Sequence, residues 1–344
     1  MGKRFLKNKW FKLCLCVSAS LLVLLILSDD NTASAASFSS ARRTFPSVAG
    51  QFTEYPLPSY DDEPETITRG SNGNLWFTEN LSDKIGEITP TGSVTEFILP
   101  YRASPNGITA GPKGSIWFTL EGDNFVGRLV RGNVITLFPL PHANSAPEGI
   151  TWGPDGNLWF TEFSANQIGK ITPSGNITEF VLPTPSSNPF SITAGPDGNL
   201  WFTEYEGDKI GKITTTGLIT EYPIPTPYSV PFGITSGPRG SGDLWFTENS
   251  GNNIGKITTS GSIREYPIPT PQSYPNDITL GPGHTLWFAQ SGTNQIGEIT
   301  TSGKFSEYTI PTNSSNPFGV TLGPDKTIWF TENSGNKIGE LTTK

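Results

Sequence analysis

A single dipeptide, Trp-Phe, recurs seven times along the 344-residue chain and restricts the folds that the chain can adopt. Its copies lie at Trp76-Phe77, Trp117-Phe118, Trp159-Phe160, Trp201-Phe202, Trp245-Phe246, Trp287-Phe288 and Trp329-Phe330. The steps between them are 41, 42, 42, 44, 42 and 42 residues. A fixed period of this length indicates one supersecondary unit that is copied along the chain.

Each copy contains four short strand-like runs that are separated by turn residues. In the third copy the runs are Gly149–Trp152, Asn157–Glu162, Gln167–Thr172 and Asn176–Leu182. Pro and Gly in the connections 153–156 and 173–175 are typical of tight turns. Four antiparallel strands per period of this length describe one blade of a propeller. The sequence therefore predicts an all-β fold, a seven-bladed β-propeller.

The two ends of the chain predict how the ring closes. The last copy ends at Thr342-Thr343-Lys344, after its third strand. The pattern of the missing fourth strand appears near the start, as Thr53-Glu54-Tyr55-Pro56-Leu57-Pro58. We expect this N-terminal strand to complete the last blade, because an open ring would leave strand edges unpaired.

The N-terminal segment has the pattern of a secretory signal. Five basic residues precede the mostly apolar run 13–28, and Ala33-Ser34-Ala35 offers a small-residue cleavage site. We predict a signal peptide over residues 1–35, a polar linker over 36–50 and the propeller over 51–344. The protein is then secreted or extracytoplasmic. The alternative is an uncleaved N-terminal membrane anchor, for which the apolar run is short.

The mature chain is predicted to be acidic and free of cysteine. Cys14 and Cys16 both lie in the signal segment, so no disulfide or cysteine metal site remains. The formal charge is −8, and cleavage leaves 18 basic against 29 acidic residues, or −11. This charge argues against binding to nucleic acid or to anionic membranes, and it is compatible with cationic ligands or with simple solubility. We expect a monomer whose partner is a small-molecule or polymer ligand.

The longer connections, from second to third strand and from one blade to the next, are predicted to share one face. Binding residues usually lie on such varied loops. The position after the proline that begins each innermost strand is rich in aromatic residues, and Tyr228 and Tyr274 lie in the adjoining loops. The candidate ligand-binding residues are Phe190, Phe232, Asn276, Phe318, Tyr228 and Tyr274. The alternative is that the phenyl rings plug the channel as core; no organic cofactor is predicted.

Carboxylates recur at a second position, the end of the Trp-Phe strand. The candidate metal ligands there are Glu79, Glu162, Glu204, Glu248 and Glu332. Glu65 and Glu148 add two more at the heads of innermost strands. Grouped carboxylates hold hard cations such as Mg²⁺ or Ca²⁺. The alternative is that each glutamate caps loop amides within its own blade.

The repeat carries a family resemblance. Gly-Ile-Thr-x-Gly-Pro-x-Gly-x-Leu-Trp-Phe-Thr-Glu, followed by Asn-x-Ile-Gly-x-Ile-Thr and Ile-Thr-Glu-Phe/Tyr-x-Ile-Pro, resembles the virginiamycin B lyase (streptogramin B lyase) family over about residues 51–344. The resemblance implies a seven-bladed propeller. It also implies an enzyme that linearises cyclic depsipeptide antibiotics by elimination across the ester bond, assisted by Mg²⁺.

The resemblance further implies where catalytic groups lie. The family's histidines stand in Pro-His-Gly/Ala-Ile at the heads of the last two blades, where this chain has Asn276 and Phe318. A metal-binding glutamate of the family corresponds to Asn316, whereas Glu332 matches the carboxylate beyond the final Trp-Phe. Loss of a positioned base lowers an elimination rate by about 10²–10⁴.

Three other residues remain as candidate catalytic groups. They are His142, Glu148 and Glu332. The other histidine of the mature chain, His284, is left out because it is predicted to lie on the opposite face. Two functional hypotheses follow. The first is a binding module that presents carboxylates and aromatic rings to an organic ligand or surface polymer, with or without a divalent cation. The second is an active lyase with relocated catalytic groups; a purely structural propeller is a third.

Overall fold

The structure, a computed structural model, describes residues 43–46, 50–100 and 103–343. The predicted signal peptide and most of the predicted linker lie outside the described residues. Within the described ranges, no helix is long and apolar enough to cross a membrane. Apart from two short 3-10 turns, Pro112–Gly114 and Pro282–His284, the regular elements are β-strands.

Six blades are four-stranded antiparallel sheets formed by consecutive strands. Blade 1 contains β3 (Pro64–Arg69), β4 (Leu75–Glu79), β5 (Lys84–Ile88) and β6 (Val94–Ile98). Blade 2 contains β7 (Pro105–Ala110), β8 (Ile116–Leu120), β9 (Phe125–Val130) and β10 (Val134–Pro139). Blade 3 contains β11 (Pro147–Trp152), β12 (Leu158–Glu162), β13 (Gln167–Ile171) and β14 (Ile177–Val181).

Blades 4 to 6 repeat this order. Blade 4 contains β15 (Pro189–Ala194), β16 (Leu200–Glu204), β17 (Lys209–Ile213) and β18 (Ile219–Pro223). Blade 5 contains β19 (Pro231–Ser236), β20 (Asp243–Glu248), β21 (Asn253–Thr258) and β22 (Ile263–Pro267). Blade 6 contains β23 (Pro275–Leu280), β24 (Leu286–Gln290), β25 (Gln295–Ile299) and β26 (Phe305–Thr309). The first strand of each blade contacts the first strands of its neighbours, so it is innermost in the ring.

Blade 7 joins the two ends of the described chain. It contains β27 (Pro317–Leu322), β28 (Ile328–Glu332), β29 (Lys337–Thr342) and β2 (Gln51–Pro56), with β1 (Arg43–Pro46) as a fifth, outer strand. Strand β2 pairs antiparallel with β29, and β27 contacts β3 of blade 1. The prediction that the N-terminal strand completes the last blade and closes the ring is confirmed.

The Trp-Phe pairs form the core between blades. In blade 3, Trp159 and Phe160 are fully buried, and Trp159 packs with Phe202 of blade 4. The repeated Ile-Gly pair makes room for these rings: a Cβ at Gly169 would lie 2.1 Å from the Phe160 ring. Only glycine permits this approach. The prediction that the Trp and Phe side chains of the repeat pack between blades is confirmed for the residues that the structure describes.

An Asn or Asp in each loop from second to third strand fastens the loop that leads into the next blade. Asn166 Oδ1 accepts hydrogen bonds from the Ser187 and Asn188 amides at 2.7 and 3.1 Å, and its Nδ2 donates to the Thr184 carbonyl. The residue has φ 58°, a conformation that Asn and Asp tolerate. Asp83, Asn124, Asp208, Asn252, Asn294 and Asn336 bind their inter-blade loops in the same way. These hydrogen bonds hold the inter-blade loops in fixed positions.

Candidate functional site

The two longer sets of connections do share one face. The Phe163 and Ser164 amides, in a loop between second and third strand, donate to carbonyls of Ala146 and Ser145 in the inter-blade loop. Equivalent backbone hydrogen bonds join the two loops in every blade. This side of the propeller is called the loop face below.

In six of the seven blades, a threonine of the Trp-Phe strand donates a hydrogen bond to the carbonyl of the residue that follows the leading proline of the next innermost strand, here called the head residue; blade 6 has Ala289 instead. The Thr161 hydroxyl donates to the Phe190 carbonyl at 2.7 Å, and the Thr203 hydroxyl donates to the Phe232 carbonyl at 2.8 Å. The pairing of each innermost strand shifts register just after its leading proline. Such bulges re-aim side chains. The head residues of successive blades therefore lie side by side around the mouth of the channel.

Aromatic rings cover one part of this mouth. The Phe190 and Phe232 ring centroids lie 4.1 Å apart, and Phe318 of blade 7 reaches Phe232 of blade 5 at 5.4 Å. Tyr205 and Phe163, which the sequence did not indicate, extend this cluster. Phe232 is buried, whereas the other four rings are partly exposed. Rings from blades 4, 5 and 7 thus contact one another at the mouth of the channel.

The remaining head residues make the other part of the mouth polar. Blades 1, 2 and 3 contribute Glu65, Asn106 and Glu148, of which Glu148 is only 7% exposed. The exposed Glu121, in the adjacent loop of blade 2, is close enough to act electrostatically on both glutamates. Glu148 Oε2 has no hydrogen-bond partner among the described residues. The carboxylates thus come from blades 1 to 3 and the aromatic head residues from blades 4, 5 and 7, so the two clusters occupy different parts of the mouth.

Burial and mutual repulsion hold protons on this carboxylate cluster. Burial, followed by the Glu121 and Glu63 carboxylates, raises the pKa of Glu65 to about 8. Burial, followed by Glu121 and Glu65, raises the pKa of Glu148 well above its ordinary value. Near neutral pH the cluster therefore retains protons, which an entering cation would displace.

Asn276 and Phe318, at the positions of the family's histidines, are engaged in packing and hydrogen bonding. Asn276 Oδ1 accepts from Asn249 Nδ2 at 3.0 Å, and its Nδ2 donates to the Pro317 carbonyl at 3.2 Å. Beside it, Asp277 accepts hydrogen bonds from the Ile278 and Val320 amides; burial nevertheless raises the pKa of Asp277 to about 6. These residues close the mouth between blades 6 and 7.

The two predicted loop tyrosines do not join the aromatic cluster. Tyr228 is 84% exposed and Tyr274 is 45% exposed. No ring contact is seen for either of them among the described residues. Both tyrosines lie in inter-blade loops on the loop face.

The five glutamates that end the Trp-Phe strands are fully buried in five separate blades. Glu204, for example, interacts with Ser187 and Glu221 of its own blade. Burial is the main cause that raises the pKa to about 8 for Glu79, Glu248 and Glu332, and to about 7 for Glu162 and Glu204. The structure does not bring these five residues together as one metal site around the channel.

One buried acidic group in blade 1 could hold a metal ion. Oxygens of Asp62, Glu79 and Glu96 all lie within 4.8 Å of one another. The Lys84 ammonium lies among them, 3.2 Å from Asp62, 3.0 Å from Glu96 and 3.6 Å from Glu79. Glu79 was a predicted metal ligand, but Asp62 and Glu96 were not singled out.

The site that the resemblance implies for Mg²⁺ is not matched by the residues present. Asn316 Nδ2 donates to Asn333 Oδ1 at 3.3 Å, and Asn316 supplies no carboxylate. Glu332 is fully buried, and its carboxylate interacts with Lys337, Ser315 and Thr312. A single carboxylate with a neutral amide is a weak donor set for Mg²⁺.

Both histidines of the described chain lie in exposed connections between strands. His142 is exposed; its amide donates to Glu179 Oε1 at 3.1 Å and its carbonyl accepts from Asn124 and Ser145. These are backbone contacts, and no side-chain contact with Glu148 or Glu162 is seen. His284 is exposed in the 3-10 turn on the opposite face, as predicted.

The opposite face carries a cleft that none of the candidate residues line. It has a volume of about 400 Å³ and lies between blades 1 and 2, with Trp76, Glu87, Phe97 and Arg131 in its walls. The chemistry-bearing residues of the mouth are thus arranged on a surface other than this cleft.

The protein is a seven-bladed propeller, and the head residues of its seven innermost strands lie at the mouth of the channel on the loop face. The chain belongs to the virginiamycin B lyase family, whose model matches residues 24–241 and 187–344. No curated protein sequence matches it.

Solved structures agree with this assignment. A streptogramin B lyase is 42% identical, with a TM-score of 0.82 over 86% of this chain and 98% of that chain. A virginiamycin B lyase from Staphylococcus aureus is 43% identical, with the same TM-score over 86% of this chain and all of that chain. A catalytically inactive histidine-to-alanine form of the S. aureus lyase with quinupristin is equally similar. A hydrazine synthase from Kuenenia stuttgartiensis, at 14% identity and TM-score 0.71, shares the fold alone.

Proposed function

We propose that the protein is an exported binding module that holds an amphipathic organic ligand, carrying a basic group, on the mouth of its loop face. The observation that carries this proposal is the division of the mouth. Carboxylates of Glu65 and Glu148 lie in one part of it, and the rings of Phe190, Phe232 and Phe318 lie in another. An amphipathic cation matches both parts at once.

Three physical terms favour such a ligand. Apolar contact with the partly exposed rings removes surface from water, at about 25 cal/mol per Å². A cation near Glu148 also gives the unpartnered Oε2 of this buried carboxylate a partner. Aromatic faces attract ammonium groups as well, by about 0.5–2 kcal/mol. A surface polymer with basic groups would satisfy the same chemistry.

Calorimetric titration with quinupristin tests the proposal on the mature chain. We expect saturable binding that weakens in Glu148→Gln, which keeps the shape but removes the ionisable carboxyl group, and in Phe190→Leu, which reduces the apolar surface of the mouth. Leu218→Ala serves as the control, because Leu218 is 69% exposed and lies in the turn between β17 and β18, on the opposite face. Equal affinity in all four proteins would place the ligand elsewhere and contradict the proposal.

An active lyase is the second candidate, and one observation favours it: the 42–43% identity to streptogramin and virginiamycin B lyases over nearly their whole length. In the S. aureus relative, a histidine-to-alanine change gives a catalytically inactive protein. Asn276 and Phe318 stand where the resemblance places the family's histidines, and neither can accept a proton as a base. Glu148, with its raised pKa, is the group of the mouth best suited to replace them.

Export is part of the proposal. It rests on the basic start, the apolar run and the Ala33-Ser34-Ala35 motif. N-terminal sequencing of the protein recovered from outside the cytoplasm would show a first residue near 36. Recovery of the uncleaved chain with the membrane fraction would show an anchored protein instead.

A further inference from the structure

Blade 1 departs from the repeat at one fully buried position. The second residue before the leading proline of the innermost strand is serine in five blades: Ser145, Ser187, Ser229, Ser273 and Ser315. It is Ala103 in blade 2 and Asp62 in blade 1. All seven side chains are 0% exposed. Blade 1 has therefore placed a carboxylate in a small, water-excluded space that six blades fill with a hydroxyl or a methyl group.

Asp62 completes a group of three carboxylates. One oxygen each of Asp62, Glu79 and Glu96 lies within 4.8 Å of the others. Each carboxylate contacts Lys84 through one oxygen, whereas Asp62 Oδ2, Glu79 Oε1 and Glu96 Oε1 have no hydrogen-bond partner among the described residues. Asp62 and Glu79 are both 0% exposed. Leaving such oxygens unpaired is costly, by about 1–3 kcal/mol or more for each charged group.

Lys84 does not balance this group. In blade 4, Lys209 contacts Glu221 at 2.8 Å and Glu204 is the second carboxylate, so that one ammonium meets two acids. In blade 1 the same lysine position meets three. Burial lowers the pKa of Lys84, but Glu96, Glu79 and Asp62 outweigh it and raise that pKa. One ammonium group therefore faces three carboxyl groups, of which Glu79, with a pKa that burial raises to about 8, retains a proton near neutral pH.

We propose that Asp62, Glu79 and Glu96 form a binding site for a hard divalent cation, Ca²⁺ or Mg²⁺, with Lys84 as its internal competitor. Three carboxylates supply the oxygen ligands that these ions prefer. The cation takes one oxygen from each carboxylate, and the Lys84 side chain, which is 12% exposed, turns toward solvent. This site lies within blade 1 and is separate from the mouth of the channel and from Asn316 and Glu332.

The position of the site gives the cation a structural role. Asp62 lies in the loop between β2, which closes the ring, and the first strand of blade 1. Its amide donates to Asn336 Oδ1 of blade 7 at 2.9 Å, and Asn336 Nδ2 donates to the Ser59 carbonyl at 2.6 Å. A cation bound to Asp62 fastens this loop to blade 1 at the seam of the propeller. Ligand that binds only the folded state raises its stability by mass action.

Calorimetry and thermal unfolding of metal-free protein, titrated with CaCl₂ or MgCl₂, test the site. We expect one bound ion per chain and a rise in Tm. Asp62→Ser, which restores the residue of five other blades, should weaken binding by about tenfold or more, because the number of ligand charges tunes affinity. Lys84→Gln, which copies Gln167 of blade 3 and Gln295 of blade 6, should bind more tightly than the wild type.

Glu204→Gln in blade 4 is the matched control, since it removes a buried glutamate from the corresponding strand end and should leave the stoichiometry unchanged. The proposal is overturned if neither the wild type nor Lys84→Gln binds either ion at millimolar concentration. It is also overturned if Asp62→Ser, shown to be folded by circular dichroism, binds as tightly as the wild type.

Discussion

The Tyr55 ring stacks on the indole of Trp329 with centroids 5.4 Å apart and planes 1° from parallel, although the two residues come from opposite ends of the described chain. The Tyr55 hydroxyl also donates to Glu340 Oε2 at 2.9 Å. In blade 4 the same contact is made within one repeat, between Tyr222 and Trp201 at 5.5 Å. The closing strand therefore reproduces the packing of every other blade.

This contact predicts that Tyr55 is needed to hold the ring closed. Tyr55→Ala should lower the free energy of unfolding by about 3–5 kcal/mol, as truncation of large buried aromatic residues does. Tyr55→Phe keeps the stack and should cost only about 0.5–1.5 kcal/mol for the hydrogen bond. Denaturant unfolding measures both. A loss in Tyr55→Ala no larger than that in the exposed control Tyr60→Ala would show that the closing strand adds little stability.

Stability should fall as pH rises across the neutral range. The pKa values of the buried glutamates lie at about 7 to 8 in the folded chain, against an ordinary value of 4.5. Because the folded state binds more protons than the unfolded state in this window, the stabilisation is complete below about pH 4.5 and is lost as pH rises through 7 and 8. Unfolding midpoints measured at intervals over this range should decrease steadily. Midpoints that increase instead would mean that these carboxyl groups are ionised and paired in the folded protein.

Binding of a basic ligand at the mouth should release protons. The raised pKa of Glu65, about 8, means that a cation placed beside it competes with a proton. Affinity should therefore increase between pH 7 and about 8, and the calorimetric enthalpy at neutral pH should depend on the ionisation enthalpy of the buffer. Glu65→Gln should lessen both effects. Enthalpies that are identical in all buffers would show that the ligand does not meet this carboxylate.

The missing histidines can be restored. The triple change Asn276→His, Phe318→His and Asn316→Glu would recreate the motif of the resembling family around Glu332. We expect this variant to open a streptogramin B ring by elimination at a rate at least about 10²-fold above that of the wild type, since that is the usual contribution of a positioned base. Chromatography follows the product. Asn276→Gln is the control, because it introduces no base, and equal rates in the control and the triple variant would contradict the prediction.

The sequence determined the fold because its signals are local and repeated. The seven copies of Trp-Phe predicted the number of blades, and the Thr53–Pro58 pattern predicted the partner of β29. The strands of blade 3 begin and end within two residues of those predicted, as in Leu158–Glu162. Each of these inferences depends on residues that act in the same way in every copy.

The candidate site was harder to predict because it depends on differences between copies. The position of a glutamate at a strand end does not show whether it faces the channel or, like Glu204, a serine of its own blade. Glu121 joins the carboxylates of the mouth from the first position after the Trp-Phe strand, where blades 3 and 4 have Phe163 and Tyr205. Asp62 could have been found by comparing the residue two before each leading proline, where five copies have serine. Residues that differ between equivalent positions of the blades therefore indicate site residues that the repeat itself does not.

The most direct test of the central claim, binding at the mouth without cleavage, is chromatography with mass spectrometry after incubation of the mature protein with quinupristin and Mg²⁺. We predict that the compound is recovered intact, with its original retention time, from protein that binds it by calorimetry. A new peak of unchanged mass would show ring opening by elimination and would make the protein an active lyase. A product heavier by one water would show hydrolysis and would equally contradict a binding module.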